Sequence, residues 1–156
     1  MACVVTLDEL DALVAADRAA GRSLALANGV FDLLHVGHIR YIEGAKAEAD
    51  RLIVAVNDDE SVRALKGEGR PVMGQADRAE LIAALRAVDY VIVFSGRTVT
   101  DVLLRYKPDV HCKGTDYTVE TVPERPVVQS YGGRTAIVGD PKDHSTRDLV
   151  SRITAR

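Results

Sequence analysis

The sequence predicts an α/β domain built on a Rossmann-like, doubly wound parallel sheet of about five strands. Apolar runs of strand length at 24–27, 52–56, 90–94, 110–112 and 134–138 alternate with stretches whose apolar residues recur at helical spacing. The runs show little polar alternation, which is how strands look when helices cover both faces. No internal repeat, low-complexity tract or linker breaks the 156 residues, a length suited to one domain, with an N-terminal helix over 1–22 and the α/β core over 23–156.

The elements can be justified in order. Thr6 and Glu9 form a capping-box pattern, Leu7, Leu10, Leu13 and Val14 repeat with helical period, and Gly21 stops that helix before the strand at 24–27. Asn28-Gly29 is a turn dipeptide, and a helix over about 37–49 turns Ile39, Ile42 and Ala45 or Ala49 inward. After the strand at 52–56 comes a short helix over 58–65. Lys66-Gly67-Glu68-Gly69-Arg70-Pro71 is charged and glycine-rich and reads as a mobile loop. A helix through Arg78, Leu81, Ile82 and Leu85 leads to the strand at 90–94. Thr98 caps the next helix, with Val99, Val102 and Leu103, and Pro108 ends it. The strand at 110–112 runs into a loop over 113–117. A helix over 124–131 is broken by Pro126 and stopped by Gly132-Gly133, the strand at 134–138 follows, and Ser145 opens the last helix. Such sheets bind ligands beyond the carboxyl ends of their strands, so residues 28–38, 113–117 and the turn before Ser145 should meet at one edge.

Composition narrows the partners. A hydrophobic share of 47% and a charged share of 28% are ordinary for a globular chain. Net charge is −3 and the 20 Lys and Arg are dispersed, which disfavours nucleic acid and favours small molecules. Cys3 and Cys112 stand far apart, outside any metal-ligand spacing, and read as free thiols; no metal site formed by the protein is expected. Asp8, Glu9 and Asp11 occupy the place of a signal's basic region, and no apolar run approaches about 18 residues, so a soluble cytoplasmic protein with no membrane partner is expected.

The chemistry concentrates in Asn28-Gly29-Val30-Phe31-Asp32-Leu33-Leu34-His35-Val36-Gly37-His38. If the chain turns helical near Gly37, both histidines lie at a helix N-terminus, where unpaired N–H groups and the helix dipole favour an anion. Residues three apart on a helix are neighbours, so two imidazole donors could hold one phosphate, with Gly37 letting it approach the backbone. Asp32 is either a turn residue or a substrate contact. Lys66 and Arg70 are either solvated charges or clamps for charge that develops in a reaction. Arg78 is either a surface salt bridge or part of the site. Lys113, beside Gly114, favours a ligand contact. Ser145 is a sufficient N-cap but could also face phosphate oxygens. His111 and His144 are read as structural.

In order, the 28–38 run, Leu52-Ile53-Val54-Ala55-Val56-Asn57-Asp58, Leu65-Lys66-Gly67 to Arg70-Pro71, Arg78, Lys113-Gly114-Thr115-Asp116-Tyr117 and Ser145-Thr146 resemble cytidylyltransferase-like nucleotidyltransferases. Among these the chain is most similar to the D-glycero-β-D-manno-heptose 1-phosphate adenylyltransferases of ADP-heptose synthesis for lipopolysaccharide, over roughly 23–153. The resemblance implies Mg²⁺-dependent attack of a sugar phosphate oxygen on the α-phosphorus of ATP, with the Mg²⁺ carried by the nucleotide phosphates. It implies catalytic roles for His35, His38, Lys66 and Arg78. Asn28, Gly29, Val30, Phe31, Gly37, His38, Lys113, Gly114, Asp116, Ser145 and Thr146 would bind nucleotide, and Asp32, Lys66 and Arg70 would bind substrate. A homodimer or larger homo-oligomer and a separate upstream sugar kinase also follow from it.

CTP-using relatives often carry Arg-Thr-Glu-Gly-Ile-Ser-Thr before the last helix, where this chain has Asp140-Pro141-Lys142-Asp143-His144-Ser145-Thr146, and Arg147 replaces a usual Thr or Ser. The alternatives are a cytidylyltransferase for glycerol 3-phosphate or another polyol phosphate, and a nucleotide-binding sensor without catalysis. A Rossmann dehydrogenase is disfavoured, since no G-x-G-x-x-G follows the first strand.

Overall fold

A computed structural model describes residues 2–141 and 144–155. Six parallel strands, β1 (Cys3–Val4), β2 (Leu24–Gly29), β3 (Arg51–Asn57), β4 (Tyr90–Phe94), β5 (Val110–Lys113) and β6 (Arg134–Ile137), form one sheet in the order β1-β4-β3-β2-β5-β6. The helices are α1 (Leu7–Ala19), α2 (Val36–Lys46), α3 (Asp59–Lys66), α4 (Gln75–Ala83), α5 (Thr100–Tyr106), α6 (Arg125–Ser130) and α7 (Thr146–Thr154), with a short 3₁₀ turn at Val119–Thr121. Among the described residues no helix is long and apolar enough to cross a membrane.

Alternate residues of each central strand serve the two faces. Ala25, Ala27, Leu52, Val54 and Val56 pack with Ile42 and Ala45 of α2 and Ala79 and Ile82 of α4. Leu24, Leu26, Ile53 and Ala55 pack with Leu10 and Val14 of α1 and Val102 and Leu103 of α5. Both faces are therefore dry, as the lack of polar alternation requires, and each large side chain so buried contributes about 1.5–3 kcal/mol.

Several elements differ from expectation. The sheet has a sixth strand, β1, whose two residues pair with Tyr90 and Val91 of β4 and are too few to show a period. Asn28 and Gly29 end β2, paired with Ala55 and Val56, and form no separate turn. Thr98 does not cap α5, which opens after Val99 without a side-chain cap. Pro126 lies in the first turn of α6, where a missing N–H costs nothing, so it starts the helix and does not break it. Lys66 is the last residue of α3, with Gly67 beyond it at φ 91°, a conformation glycine adopts without strain.

Candidate active site

The chain leaves β2 toward β3 on one side while β5 and β6 lie on the other, so the strand order reverses between β2 and β5. A cavity of about 620 Å³ opens there, at the carboxyl ends of the strands. That is within the usual range for a small-molecule site. Asn28, Gly29, Val30 and Phe31 line it from the end of β2, and His35, Gly37 and His38 from the start of α2. Lys66 reaches it from the end of α3, Gly114 and Asp116 from the loop after β5, and Ser145 and Thr146 from the start of α7. The three loop regions singled out in the sequence do converge.

The histidines form the capping box of α2 themselves. His35 is the N-cap, and its Nδ1 accepts from Gly37 N–H at 3.2 Å; His38 Nδ1 accepts from His35 N–H at 3.3 Å. A ring nitrogen that accepts a backbone N–H carries no proton, so each neutral ring has its proton on Nε2. The rings lie 3.9 Å apart between centroids and tilt by 31°. Helix N–H groups expected to meet an anion directly are thus satisfied by imidazoles, which offer Nε2–H in their place. Burial, then the neighbouring His35 and Lys66, pushes the His38 pKa down to about 4, so the ring is neutral near pH 7.

Local strain holds this arrangement. Phe31 sits at φ 52°, which costs a non-glycine residue about 1 kcal/mol or more, and its buried ring meets His38 edge-on at 5.5 Å. A Cβ on Gly37 would lie 3.0 Å from His35 Cε1 and Nδ1. Glycine here therefore makes room for the folded-back imidazole, where the sequence suggested room for phosphate.

Four anticipated site residues do not line the cavity. Asp32, 4% exposed, accepts from Arg70 Nη1 at 2.9 Å and from the backbone N–H groups of Val72 and Met73. Burial opposes ionisation, but these donors together hold its pKa below the usual carboxylate value. Asp32 and Arg70 therefore fasten the 70–73 segment. Arg78 is fully buried and donates to Met73 O, Val30 O and Asp59 Oδ1. Its guanidinium braces the turn after β2 against α3, since a buried charge needs this many partners. Lys113 holds its ammonium over the Tyr117 ring, 4.8 Å from the centroid, and burial lowers its pKa against the charges of Glu124 and Asp116.

Other lining residues were not singled out. Tyr41, one turn beyond His38 on α2, donates to Cys112 O at 2.7 Å and ties α2 to β5; burial raises its pKa above the usual phenol value. A helical wheel drawn from His38 would have found it. Arg40 pairs with Asp140 at 2.6 Å on the rim, and Thr115 Oγ1 donates to Asp140 O. His144, read as structural, lines the cavity with its ring 6.5 Å from His35. His111 is buried and bonds to Asn28. Lys142 and Asp143 of the polar turn lie outside the described residues.

Among the described residues no group of three or more His, Cys, Asp or Glu is placed to hold a metal ion. The lining carboxylates have local partners: Asp140 meets Arg40, and Asp148 accepts from Ser145 Oγ at 2.7 Å. This donor set fits an ion that enters on phosphate oxygens better than one caged by side chains.

A parallel sheet with a cavity at its switch point, lined by paired imidazoles, is the arrangement in which open α/β domains bind small ligands. Residues 26–151 match the model of the cytidylyltransferase-like family, and the chain belongs to that family. It is 43% identical over 150 residues to the bifunctional protein HldE of Geobacter sulfurreducens, covering 96% of this chain and 31% of that protein. With the bifunctional protein HldE of Koribacter versatilis it shares 46% identity over 149 residues, again 96% of this chain and 31% of the other. The chain thus spans about a third of the length of these curated relatives. A crystal structure of the lipopolysaccharide core biosynthesis protein from Thermoplasma volcanium superposes with a TM-score of 0.67 at 27% identity, over 78% of this chain and all of that one.

Proposed function

We propose that this domain is a nucleotidyltransferase that moves AMP from ATP to a sugar 1-phosphate, a heptose 1-phosphate, giving an ADP-sugar and pyrophosphate. The observation that carries the reading is the pair of imidazoles at the start of α2, 3.9 Å apart between centroids, which line a shared cavity at the switch point with their Nδ1 atoms on backbone N–H groups. An oxygen of the sugar phosphate attacks the α-phosphorus while the bond to the β-phosphate oxygen breaks, and the pair of electrons leaves with pyrophosphate. Negative charge grows on the phosphate oxygens as this happens. Fixed donors stabilise that charge without reorganising, and an in-line transfer needs no covalent nucleophile.

Lys66, at the end of α3, adds a positive charge to the cavity lining. The openings of α2 and α7 both face the cavity, so two helix dipoles favour a polyanion there. Mg²⁺ arriving on the triphosphate would neutralise part of its charge. Asp32, Arg70 and Arg78 serve by holding the walls in place. The similarity to HldE and to a lipopolysaccharide core protein supports the choice of a sugar phosphate acceptor. A kinase, fused or separate, must supply that phosphate.

The test is a panel of ATP, CTP, GTP and UTP against heptose 1-phosphate, other sugar 1-phosphates and glycerol 3-phosphate, read by pyrophosphate release. Turnover with ATP and heptose 1-phosphate is expected. Turnover with CTP alone, or with glycerol 3-phosphate alone, would contradict the proposal.

A further inference from the structure

His111 lies on β5 at the switch point, wholly buried, opposite Leu26 of β2. Its Nε2 is 2.9 Å from Asn28 Oδ1, and among the described residues its Nδ1 has no hydrogen-bond partner. An orphaned buried polar atom destabilises a fold, and an apolar side chain of similar size would be tolerated better at the centre of a sheet. Packing alone therefore gives no reason for an imidazole here. The contact with Asn28 gives one.

Burial, then the charge of Lys113, holds the His111 pKa down to about 3, so the ring is neutral and has a single N–H. A proton on Nδ1 would orphan a buried donor and set the Nε2 lone pair against the oxygen of Asn28. A proton on Nε2 makes the bond and leaves only an acceptor unpaired, the lesser cost. With Nε2–H donating to Oδ1, the Asn28 carboxamide is locked in one of its two flips. Its Nδ2 hydrogens then point away from His111, and Asn28 lines the cavity.

We infer that His111 is a positioning residue for nucleotide binding: by locking the Asn28 carboxamide it presents an Nδ2–H donor to a phosphate oxygen of the bound nucleotide. This rests on the adenylyltransferase reading. It adds a neutral recognition element, built from β2 and β5, to the cavity that the imidazole pair lines.

A double-mutant cycle tests it, using a non-hydrolysable ATP analogue with Mg²⁺, binding by calorimetry, and the melting temperature of every variant. Asn28→Ala and His111→Leu should each weaken binding about tenfold, the worth of one oriented hydrogen bond. The double variant should bind no worse than Asn28→Ala, and His111→Gln, which keeps a donor, should recover part of the loss. His111→Leu should melt close to the wild-type temperature, because it deletes the orphaned atom together with the bond to Asn28. Wild-type affinity in His111→Leu, or a double variant weakened about a hundredfold, would overturn the inference. Nitrogen-15 NMR of the free protein separates the two layers. A proton found on Nδ1 of His111 overturns the inference and leaves the proposed function standing. The expected Nε2 proton in a protein that binds no ATP analogue overturns both.

Discussion

At the amino edge of the sheet Asp17, only 2% exposed, is answered on every side. The Tyr90 hydroxyl donates to it at 2.6 Å, Arg22 at 2.8 Å and Arg51 at 3.3 Å, while Arg51 and Lys46 also reach Asp89. At the carboxyl edge the imidazoles of His35 and His38 use one nitrogen each on the backbone and turn the rest of the ring to a cavity. One edge spends its polar groups on each other, and the other sets them around a cavity. The contrast teaches where substitutions should strike: pairing at the amino edge supports stability, while the carboxyl edge lines the cavity in which the proposed chemistry takes place.

The largest expected effect lies in the histidines. His38→Ala should lower turnover by at least about a hundredfold, the scale of losing one transition-state donor, while costing about 1 kcal/mol of stability for the lost cap interaction. Steady-state rates with denaturant melts check both halves. An inactive but fully folded variant sharpens the contrast, and an active one breaks it.

At the other edge, Asp17→Ala should cost about 2 kcal/mol, less than the 3–5 typical of a fully buried pair because Arg22 and Arg51 are partly exposed. Turnover per folded molecule should not change. A drop in kcat without a loss of stability would erase the distinction between the edges.

Acid should separate them by a smaller margin. His38 has a folded pKa of about 4, below its unfolded value near 6.5, so folding favours the neutral ring. Its stabilising contribution is full above about pH 6.5 and is lost as pH falls toward 4. Asp17 is buried, which opposes ionisation, yet Tyr90, Arg22 and Arg51 hold its pKa below the usual carboxylate value. Its contribution is full above the unfolded carboxylate pKa and is lost only as pH falls below it. Between pH 6.5 and 4, wild-type stability should therefore fall relative to His38→Ala but hold steady relative to Asp17→Ala, as paired melts at each pH would record.

The smallest effect belongs to the rim. Arg40 and Asp140 pair at 2.6 Å with both side chains about half exposed, and such bridges contribute little. Arg40→Ala should shift stability by no more than about 0.5 kcal/mol in chemical denaturation.

Local pattern made much of this legible. The capping box of Thr6 and Glu9, the apolar strands and the placement of paired histidines after a strand are all written within a few residues, and the structure contains them. What escaped depends on partners far along the chain. Asp32 and Arg70 are 38 residues apart and Arg78 and Val30 are 48 apart, so sequence alone could not tell a brace from a ligand contact. The same holds for His111, whose meaning appears only when β5 lies beside β2. For the histidine pair the sequence left open where the nearby backbone donors go: the His35 ring takes the Gly37 N–H and the His38 ring takes the His35 N–H. Only the fold of a ring back onto its own turn reveals that.

A crystal structure with a bound non-hydrolysable ATP analogue tests the central claim most directly. Nε2 of both His35 and His38 should lie within hydrogen-bond distance, about 2.7–3.2 Å, of phosphate oxygens, with each Nδ1 still on its backbone N–H. Rings turned from the phosphates, or Nδ1 atoms released from the helix to make those contacts, would contradict it.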